Sequence, residues 1–191
     1  MSKPRLAVLA SGSGSNFQAI AEAVSAGQIQ AELALLFSDH SDAKVLERAK
    51  TLGIPSASAR VRDFSSKSDY EAHLLRLLQN HRIDLVVLAG YMRIVGAKLL
   101  AAFPQRIINL HPSLLPAFPG RHGIDDAFNA GVSATGVTVH YIDEGIDTGP
   151  VIAQREVPIF PTDTLESLEE RIHAVEHVLY PQVLADLVQK L

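Results

Sequence analysis

Residues 6–26 read LAVLASGSGSNFQAIAEAVSA, and this stretch decides the fold because it joins a strand, a glycine loop and a helix. The apolar run Leu6–Ala10 predicts a short strand, Ser11–Asn16 a loop, and Phe17–Ala26 a helix. A strand that leads into a helix through such a loop is typical of a βαβ unit. The stretch therefore predicts the start of a parallel sheet covered by helices.

The same alternation continues as far as residue 111. Further strands are predicted at Leu33–Ser38, Ile83–Ala89 and Arg106–His111, and helices at Ala43–Leu52, at Tyr70–Gln79 and in a segment ending near Phe103. The run IDLVVLA at 83–89 is typical of a strand buried on both faces of a parallel sheet. The pattern predicts an α/β fold with a doubly wound, mostly parallel, Rossmann-like sheet.

The pattern changes after Pro112, where a Pro/Gly-rich loop leads to a short helix near Asp125–Asn129. Two strand-like stretches, Gly136–Ile142 and Val151–Ile159, then follow each other with no helix between them. This succession predicts an antiparallel addition to the sheet. A long helix from about Thr164 should close the chain, and Pro181 should interrupt or kink it.

Length and composition restrict the class of protein. With 191 residues, the chain fits one domain, 1–191, divided near residue 100 into two halves. Lys plus Arg number 17 against 21 Asp plus Glu, so there is no basic surplus for nucleic-acid binding. Cysteine is absent, which excludes disulfides, thiolate nucleophiles and cysteine-based metal sites. The chain has neither a signal-peptide core nor a run of roughly 18 apolar residues, so we expect no membrane association and a cytoplasmic location.

The loop Ser11–Asn16 predicts an anion site, most plausibly for a phosphate. Glycines allow a tight turn, and the N–H groups at the start of the following helix favour negative charge. A dinucleotide site is disfavoured, because Gly12 and Gly14 fit the G-x-G-x-x-G pattern but Phe17 occupies its third glycine position. A NAD-binding module and a turn without a ligand stay as alternatives.

Asn109 and His111 lie two residues apart in a predicted strand, so their side chains should share one face. They also lie near the carboxyl end of that strand, where open α/β sheets bind ligands. An amide donor beside an imidazole is a plausible pair for stabilising an oxyanion. The alternative is a polar pair that forms hydrogen bonds to the backbone.

Three carboxylates, Asp143, Glu144 and Asp147, crowd one glycine-bordered loop. A carboxylate near an imidazole would stabilise the charged ring, but spacing alone does not choose among the three. A solvated acidic turn is the alternative.

The remaining histidines do not predict a metal site. His173 and His177 are four residues apart on the last helix, but no third ligand is evident. His122, His140 and Asp147 could meet, yet no metal-binding signature supports them. The prediction is therefore a site without a metal ion.

Five segments resemble the phosphoribosylglycinamide formyltransferases, a family of folate-dependent enzymes. They are LASGSGSNFQAI (9–20), LAGYMRIV (88–95), INLHPSLLPAFPG (108–120), HYIDEGIDTGPVIAQREVPI (140–159) and EHVLYP (176–181). The resemblance covers essentially the whole chain. It implies transfer of a formyl group from 10-formyltetrahydrofolate, as co-substrate, to the amine of 5'-phosphoribosylglycinamide in purine biosynthesis.

The resemblance also implies residue roles. Asn109, His111 and Asp147 match the catalytic residues of the family. Residues 1–100 become a phosphate-binding half, and 101–191 a folate-binding and catalytic half. The positions matching the ribonucleotide site, with Glu176 as the ribose contact, are Gly14, Ser15, Asn16 and Glu176.

The folate site implied by the resemblance combines an apolar segment with the acidic loop. Lys67 stands where family members often carry Arg. The full set is Lys67, Met92, Arg93, Ile94, Val95, Asn109, Asp143, Glu144 and Asp147.

Relatives in the same superfamily give two further alternatives. Formyltetrahydrofolate deformylase delivers the formyl group to water and has an additional N-terminal domain, for which a first strand near residue 5 leaves no room. Methionyl-tRNA formyltransferase has a C-terminal RNA-binding domain, which we do not expect here. The expected partners are small molecules only, and the expected assembly is a monomer or a homodimer.

Overall fold

The computed structural model describes residues 2–191, and its centre is one sheet in the order β3-β2-β1-β4-β5-β6-β7. The strands are β1 Arg5–Ala10, β2 Glu32–Ser38, β3 Ser56–Ser58, β4 Leu85–Leu88, β5 Ile107–His111, β6 Ala134–Tyr141 and β7 Val151–Pro158. The helices are α1 Ser15–Ser25, α2 Lys44–Thr51, α3 Lys67–Asn80, α4 Ala97–Ala102, α5 Gly123–Asn129 and α6 Leu165–Val188. A 3-10 turn lies at Val61–Asp63.

The sheet has the predicted direction pattern. Strands β1 to β5 pair in parallel, whereas β6 pairs antiparallel with both β5 and β7. The doubly wound, mostly parallel sheet and its antiparallel addition are therefore confirmed. The carboxyl ends of β1, β4 and β5 meet at one edge, so the loops that follow these strands are brought together there.

Two apolar layers cover the sheet, one on each face. Leu6 and Val8 of β1 pack in the layer formed with α1, α2 and α6. Ala7 and Leu9, which alternate with them, pack in the layer formed with α3 and α4. This alternation between two covered faces explains why the central strands are apolar throughout.

Two parts of the chain differ from the sequence-based expectations. Strand β3 at Ser56–Ser58 was not predicted, because three small residues at a sheet edge carry no hydrophobic pattern. Of the predicted interruption or kink at Pro181, the interruption is wrong, since α6 runs continuously from Leu165 to Val188, and the kink stays a prediction. Buried Tyr180 donates its hydroxyl to the carbonyl of Leu88 at 2.7 Å, and such packing outweighs the roughly 3 kcal/mol that proline costs in a helix.

The start of α6 is fixed by a reciprocal cap. The Ser167 N–H donates to the Thr164 hydroxyl oxygen, and the Thr164 N–H donates to the Ser167 hydroxyl oxygen. Among residues 2–191, no helix is both long and apolar enough to cross a membrane.

Candidate active site

The predicted phosphate loop passes directly into α1. Gly14 precedes the first helical residue and has a φ of 81°, a conformation that L side chains rarely adopt. A side chain at this position would also collide with Val45 of α2. Arg48 donates from Nε to the carbonyl of Ser13 at 2.7 Å, so α2 holds the loop from one side.

The two ends of the chain meet beside this loop. Asn16 donates from Nδ2 to Oε2 of Glu176 at 2.9 Å, and the same oxygen accepts from Nδ1 of His173 at 3.2 Å. This hydrogen bond raises the pKa of His173 above its ordinary value. Glu176 is only 4 % exposed, and the Asn16 amide oxygen is buried without a hydrogen-bond partner among the described residues. Two predicted ribonucleotide residues are thus brought together.

Asn109 faces His140 across the β5–β6 ladder, in which the two residues are paired. The Nδ2 atom of Asn109 lies 3.5 Å from Nε2 of His140. Because Nδ1 of His140 donates to the Tyr141 carbonyl at 2.9 Å, the neutral ring leaves Nε2 free to accept. Burial lowers the pKa of His140, which favours this neutral form. Nδ2 of Asn109 is therefore directed towards His140 through a contact at the upper limit of hydrogen-bond length.

His111 is held between a carbonyl and a carboxylate. Its Nε2 lies 2.8 Å from the carbonyl oxygen of Phe118, which can only accept, so Nε2 carries a proton. Its Nδ1 faces Oδ2 of Asp147 at 3.6 Å. Protonation of the ring therefore adds its hydrogen at Nδ1, on the side of the carboxylate.

Asp147 is the carboxylate of the acidic loop that reaches the histidines. Its Oδ1 lies 3.8 Å from Nε2 of His140, and its Oδ2 accepts the Gly120 N–H at 2.7 Å. Its φ of 55° lies in the left-handed region, which Asp tolerates better than most residues. Of the three carboxylates that the spacing left open, Asp147 is thus the one that lies beside the imidazoles.

The other two carboxylates of the loop do not reach the histidines. Asp143 accepts the Thr148 hydroxyl at 2.6 Å and the Gly145 N–H at 2.9 Å. These hydrogen bonds lower its pKa and fold the loop. Glu144 is exposed.

The predicted folate segment leaves β4 at the same sheet edge. Met92 and Ile94 are 51 % and 78 % exposed, whereas Val95 is buried in the sheet's second apolar layer. Arg93 turns its guanidinium towards Asp39, with Nε 2.8 Å from Oδ2. The segment therefore presents two apolar side chains to solvent and is anchored by the residues next to them.

Lys67 is the first residue of α3 and is exposed. The first turn of α3 lies close to the folate segment, because the hydroxyls of Tyr70 and Tyr91 are 2.8 Å apart. Lys67 belongs to this first turn, and no polar contact of Lys67 with the other predicted site residues is found among residues 2–191.

The three residues considered as metal ligands in the sequence, His122, His140 and Asp147, do not form one cluster. His122 lies beside Asp125, with Nδ1 3.7 Å from Oδ2, and not beside His140. Over residues 2–191, no group of three or more His, Asp or Glu side chains is arranged to hold a metal ion.

Sequence reasoning missed several residues that shape this site. His140 was considered only as a metal ligand, since its contact with Asn109 depends on the β5–β6 register. The carbonyl of Phe118 and the buried Asp39 were not singled out at all. Backbone carbonyls in loops leave no sequence signal, whereas an acid directly after an apolar strand, as at Asp39, was a signal that could have been used.

Comparisons with known proteins agree with this architecture. The formyl transferase family model matches residues 4–184. A phosphoribosylglycinamide formyltransferase of Bacillus subtilis is 48 % identical over 184 residues, covering 96 % of this chain and 94 % of the relative. The crystal structure of glycinamide ribonucleotide transformylase 1 from Geobacillus kaustophilus has a TM-score of 0.96 and 56 % identity, covering 97 % of this chain and 99 % of that chain.

A deformylase shares the same architecture at lower identity. The crystal structure of a formyltetrahydrofolate deformylase from Pseudomonas syringae has a TM-score of 0.92 and 27 % identity, and the match covers 99 % of this chain and 62 % of that chain. The fold alone therefore does not separate formyl transfer to an amine from formyl transfer to water.

Proposed function

This chain belongs to the formyl transferase family, and from that premise we propose that it transfers the formyl group of 10-formyltetrahydrofolate to the amine of 5'-phosphoribosylglycinamide. The products are formylglycinamide ribonucleotide and tetrahydrofolate, and the reaction belongs to purine biosynthesis. The proposed chemistry uses no metal ion. A cytoplasmic location, a monomer or homodimer, and the division into two functional halves stay predictions.

The observation that carries the choice of acceptor is the contact between Asn16 and Glu176. An amide and a buried carboxylate meet at the helix start where Gly14 and Ser15 complete the loop. Helix N-termini bind phosphates, and a carboxylate accepts hydrogen bonds from sugar hydroxyls. A ribonucleotide acceptor uses both features, whereas water as acceptor uses neither.

The folate is assigned to the surface between the Met92–Val95 segment and the Asp143–Asp147 loop. Exposed Met92 and Ile94 offer an apolar wall to the flat pteridine ring, and backbone groups of the loop can meet its polar edge. Asn109 is on β5, which lies between the strand that precedes the Met92–Val95 segment and the strand that precedes the acidic loop. The formyl group would therefore lie over the end of β5.

The chemical step begins when the amine of the ribonucleotide attacks the formyl carbon. The carbonyl oxygen then becomes an oxyanion, and a hydrogen-bond donor placed there in advance lowers the barrier. Asn109 is that donor in our proposal. Its amide nitrogen has two hydrogens, and a single one is directed at His140.

His111 supplies the second donor through Nδ1. Because Nε2 donates its hydrogen to the carbonyl of Phe118, the charged ring can donate to the oxyanion only from Nδ1, which faces Asp147. The 3.6 Å gap between Nδ1 and the carboxylate is longer than a hydrogen bond, so both groups keep a position free for substrate.

Asp147 balances the charge on His111 and assists proton movement. The attacking nitrogen must lose a proton, and the folate nitrogen that leaves must gain one. A carboxylate beside both reacting atoms can relay that proton through a water molecule. Its hydrogen bond to Gly120 holds it in place during this exchange.

The test compares three acceptors under one set of conditions. Purified protein is mixed with 10-formyltetrahydrofolate and with phosphoribosylglycinamide, its dephosphorylated riboside, or buffer alone, and tetrahydrofolate formation is followed by absorbance. We expect rapid formation with the ribonucleotide, a strongly raised KM with the riboside, and almost none in buffer. Equal rates in all three mixtures would identify a hydrolase instead.

A further inference from the structure

Asp39 is a fully buried acid that the proposed chemistry does not use. It follows β2 directly, and its side chain has no exposed surface. A buried carboxylate is unfavourable unless it is paired and hydrogen-bonded. Asp39 meets both conditions, because its Oδ1 accepts the Ser11 hydroxyl at 2.6 Å and its Oδ2 accepts Nε of Arg93 at 2.8 Å.

The two hydrogen-bond partners of Asp39 come from the two predicted substrate sites, and Nε2 of the half-exposed His40 also lies 3.5 Å from its Oδ2. Ser11 is the first residue of the phosphate loop, and Arg93 lies within the folate segment. The Ser11 hydroxyl donates to Asp39 and so can accept the Met92 N–H, which it does at 2.9 Å. The N–H of Ser11 also donates to the carbonyl of Gly90 at 3.0 Å. One carboxylate therefore fixes both the backbone and a side chain of the folate segment.

We propose that Asp39 is a positioning residue, which holds the Met92–Val95 segment in the conformation that receives the folate. This inference rests on the proposed function. It also assigns a role to the Arg93 side chain, which acts as an anchor turned towards Asp39, so that the segment contacts the folate through its backbone and through Met92 and Ile94. The contact favours binding through preorganisation, because a segment that is already held in place loses less conformational entropy when the ligand binds.

A carboxylate accepts from both partners at once, which an amide cannot do. Asparagine has one acceptor and one donor on its amide. If its oxygen keeps the bond from Ser11, its NH₂ group faces Nε–H of Arg93, and two donors cannot bond to each other. If the amide is reversed, its neutral oxygen accepts from Arg93 and its NH₂ group donates to the Ser11 hydroxyl. D39N is nearly isosteric, and in either orientation it removes the charge-assisted contact with Arg93.

The experiment measures tetrahydrofolate binding and steady-state kinetics for the wild type, D39N, R93M and the double variant. We expect D39N to raise the Kd for tetrahydrofolate and the KM for 10-formyltetrahydrofolate by about ten- to one-hundred-fold, the value of one charge-assisted hydrogen bond. The KM for the ribonucleotide should change less than about twofold in this comparison, because Ser11 keeps a hydrogen bond to residue 39 in either orientation. The double variant should bind tetrahydrofolate no more weakly than the single variant with the larger loss of affinity, since both changes break the same contact.

Controls separate the possible outcomes. D42N changes an exposed acid three residues further on and should leave all constants unchanged. Hydrogen exchange of the Met92 amide without ligand should be faster in D39N and R93M, a result that a direct ligand role for Arg93 would not produce. If D39N does not fold, R93M and its amide exchange decide the question.

The inference is overturned if folate binding in D39N or R93M equals that of the wild type. It is also overturned if both substrates are weakened equally, or if the two changes are additive. These results are distinct from failure of the proposed function, which the wild-type transfer assay reports on its own.

Discussion

Nδ2 of Asn16 lies 2.9 Å from Oε2 of Glu176, although 160 positions separate the two residues. The contact joins the first turn of α1 to the middle of α6, and so brings residues from the two halves of the chain to the predicted phosphate loop. In the function proposed above, this largely buried polar contact serves a ligand that carries both a phosphate and hydroxyl groups.

Asn16→Ala should weaken ribonucleotide binding selectively. We expect the KM for phosphoribosylglycinamide to rise by about tenfold or more, because a hydrogen-bond donor near the phosphate is lost, while the KM for the folate stays within about twofold. Asn80→Ala, at the exposed end of α3, is the matched control. Gly14→Val is a poor test, since its side chain collides with Val45 and changes the fold. A collapse of folate binding in Asn16→Ala would show that the loop serves the other substrate.

Ile94→Asp should weaken folate binding. Ile94 is 78 % exposed, so the substitution places a charge on the proposed apolar wall without disturbing the core. The Kd for tetrahydrofolate, measured by fluorescence titration, should increase by at least about tenfold, which corresponds to roughly 1.4 kcal/mol. Unchanged affinity in a folded variant would remove this segment from the folate site.

Asn109→Ala should act on kcat. Removing one preorganised oxyanion donor typically lowers kcat by about 10²–10³-fold, or roughly 2.7–4 kcal/mol, with a modest change in substrate binding. Steady-state kinetics with both substrates varied measures this difference. A larger effect on KM than on kcat would indicate that Asn109 binds the ground state instead.

Asp147→Asn should also lower kcat, by about 10²-fold or more, because the neutral amide can neither balance a charged His111 nor take up a proton. The amide oxygen can still accept the N–H of Gly120, so the loop should keep its conformation. Asp125→Asn, which changes an acid paired with exposed His122, serves as the control and should retain activity. A fully active Asp147→Asn variant would exclude Asp147 from the chemistry.

His140 makes folding stability depend on pH. Burial lowers its pKa below the ordinary value of 6.5, so between the folded-state pKa and 6.5 the unfolded chain binds more protons than the folded chain. The stability that this group contributes is therefore fully present above 6.5 and is lost as pH falls through that interval. Chemical denaturation at several pH values should show this loss, and His140→Gln should show a smaller one. An identical pH dependence in both proteins would contradict the burial argument.

The sequence was sufficient for features that follow from local pattern. The glycine loop, the buried strand at 83–89 and the shared face of Asn109 and His111 depend on periodicity and on turn chemistry, which act over a few residues. Ile108 and Leu110 alternate with this pair and point to the other face of the sheet, as expected. They pack in the apolar layer formed with α1, α2 and α6.

Features that depend on distant contacts could not be predicted from local pattern, and Asp147 was singled out by the family resemblance alone. Asp147 differs from Asp143 and Glu144 only in how the loop folds back, which its left-handed conformation and the Gly120 bond determine. The partner of Asn109 depends on the β5–β6 register. Continuity of α6 through Pro181 depends on burial of Tyr180 against β4, an interaction across 92 positions.

The most direct measurement follows the formyl group itself. The protein is incubated with 10-formyltetrahydrofolate labelled with ¹³C in the formyl carbon and with phosphoribosylglycinamide, and NMR records where the label goes. The proposed function predicts that nearly all the label appears in formylglycinamide ribonucleotide, and that formate stays at the level of the protein-free control. Label that accumulates as formate while the ribonucleotide stays unlabelled would contradict it.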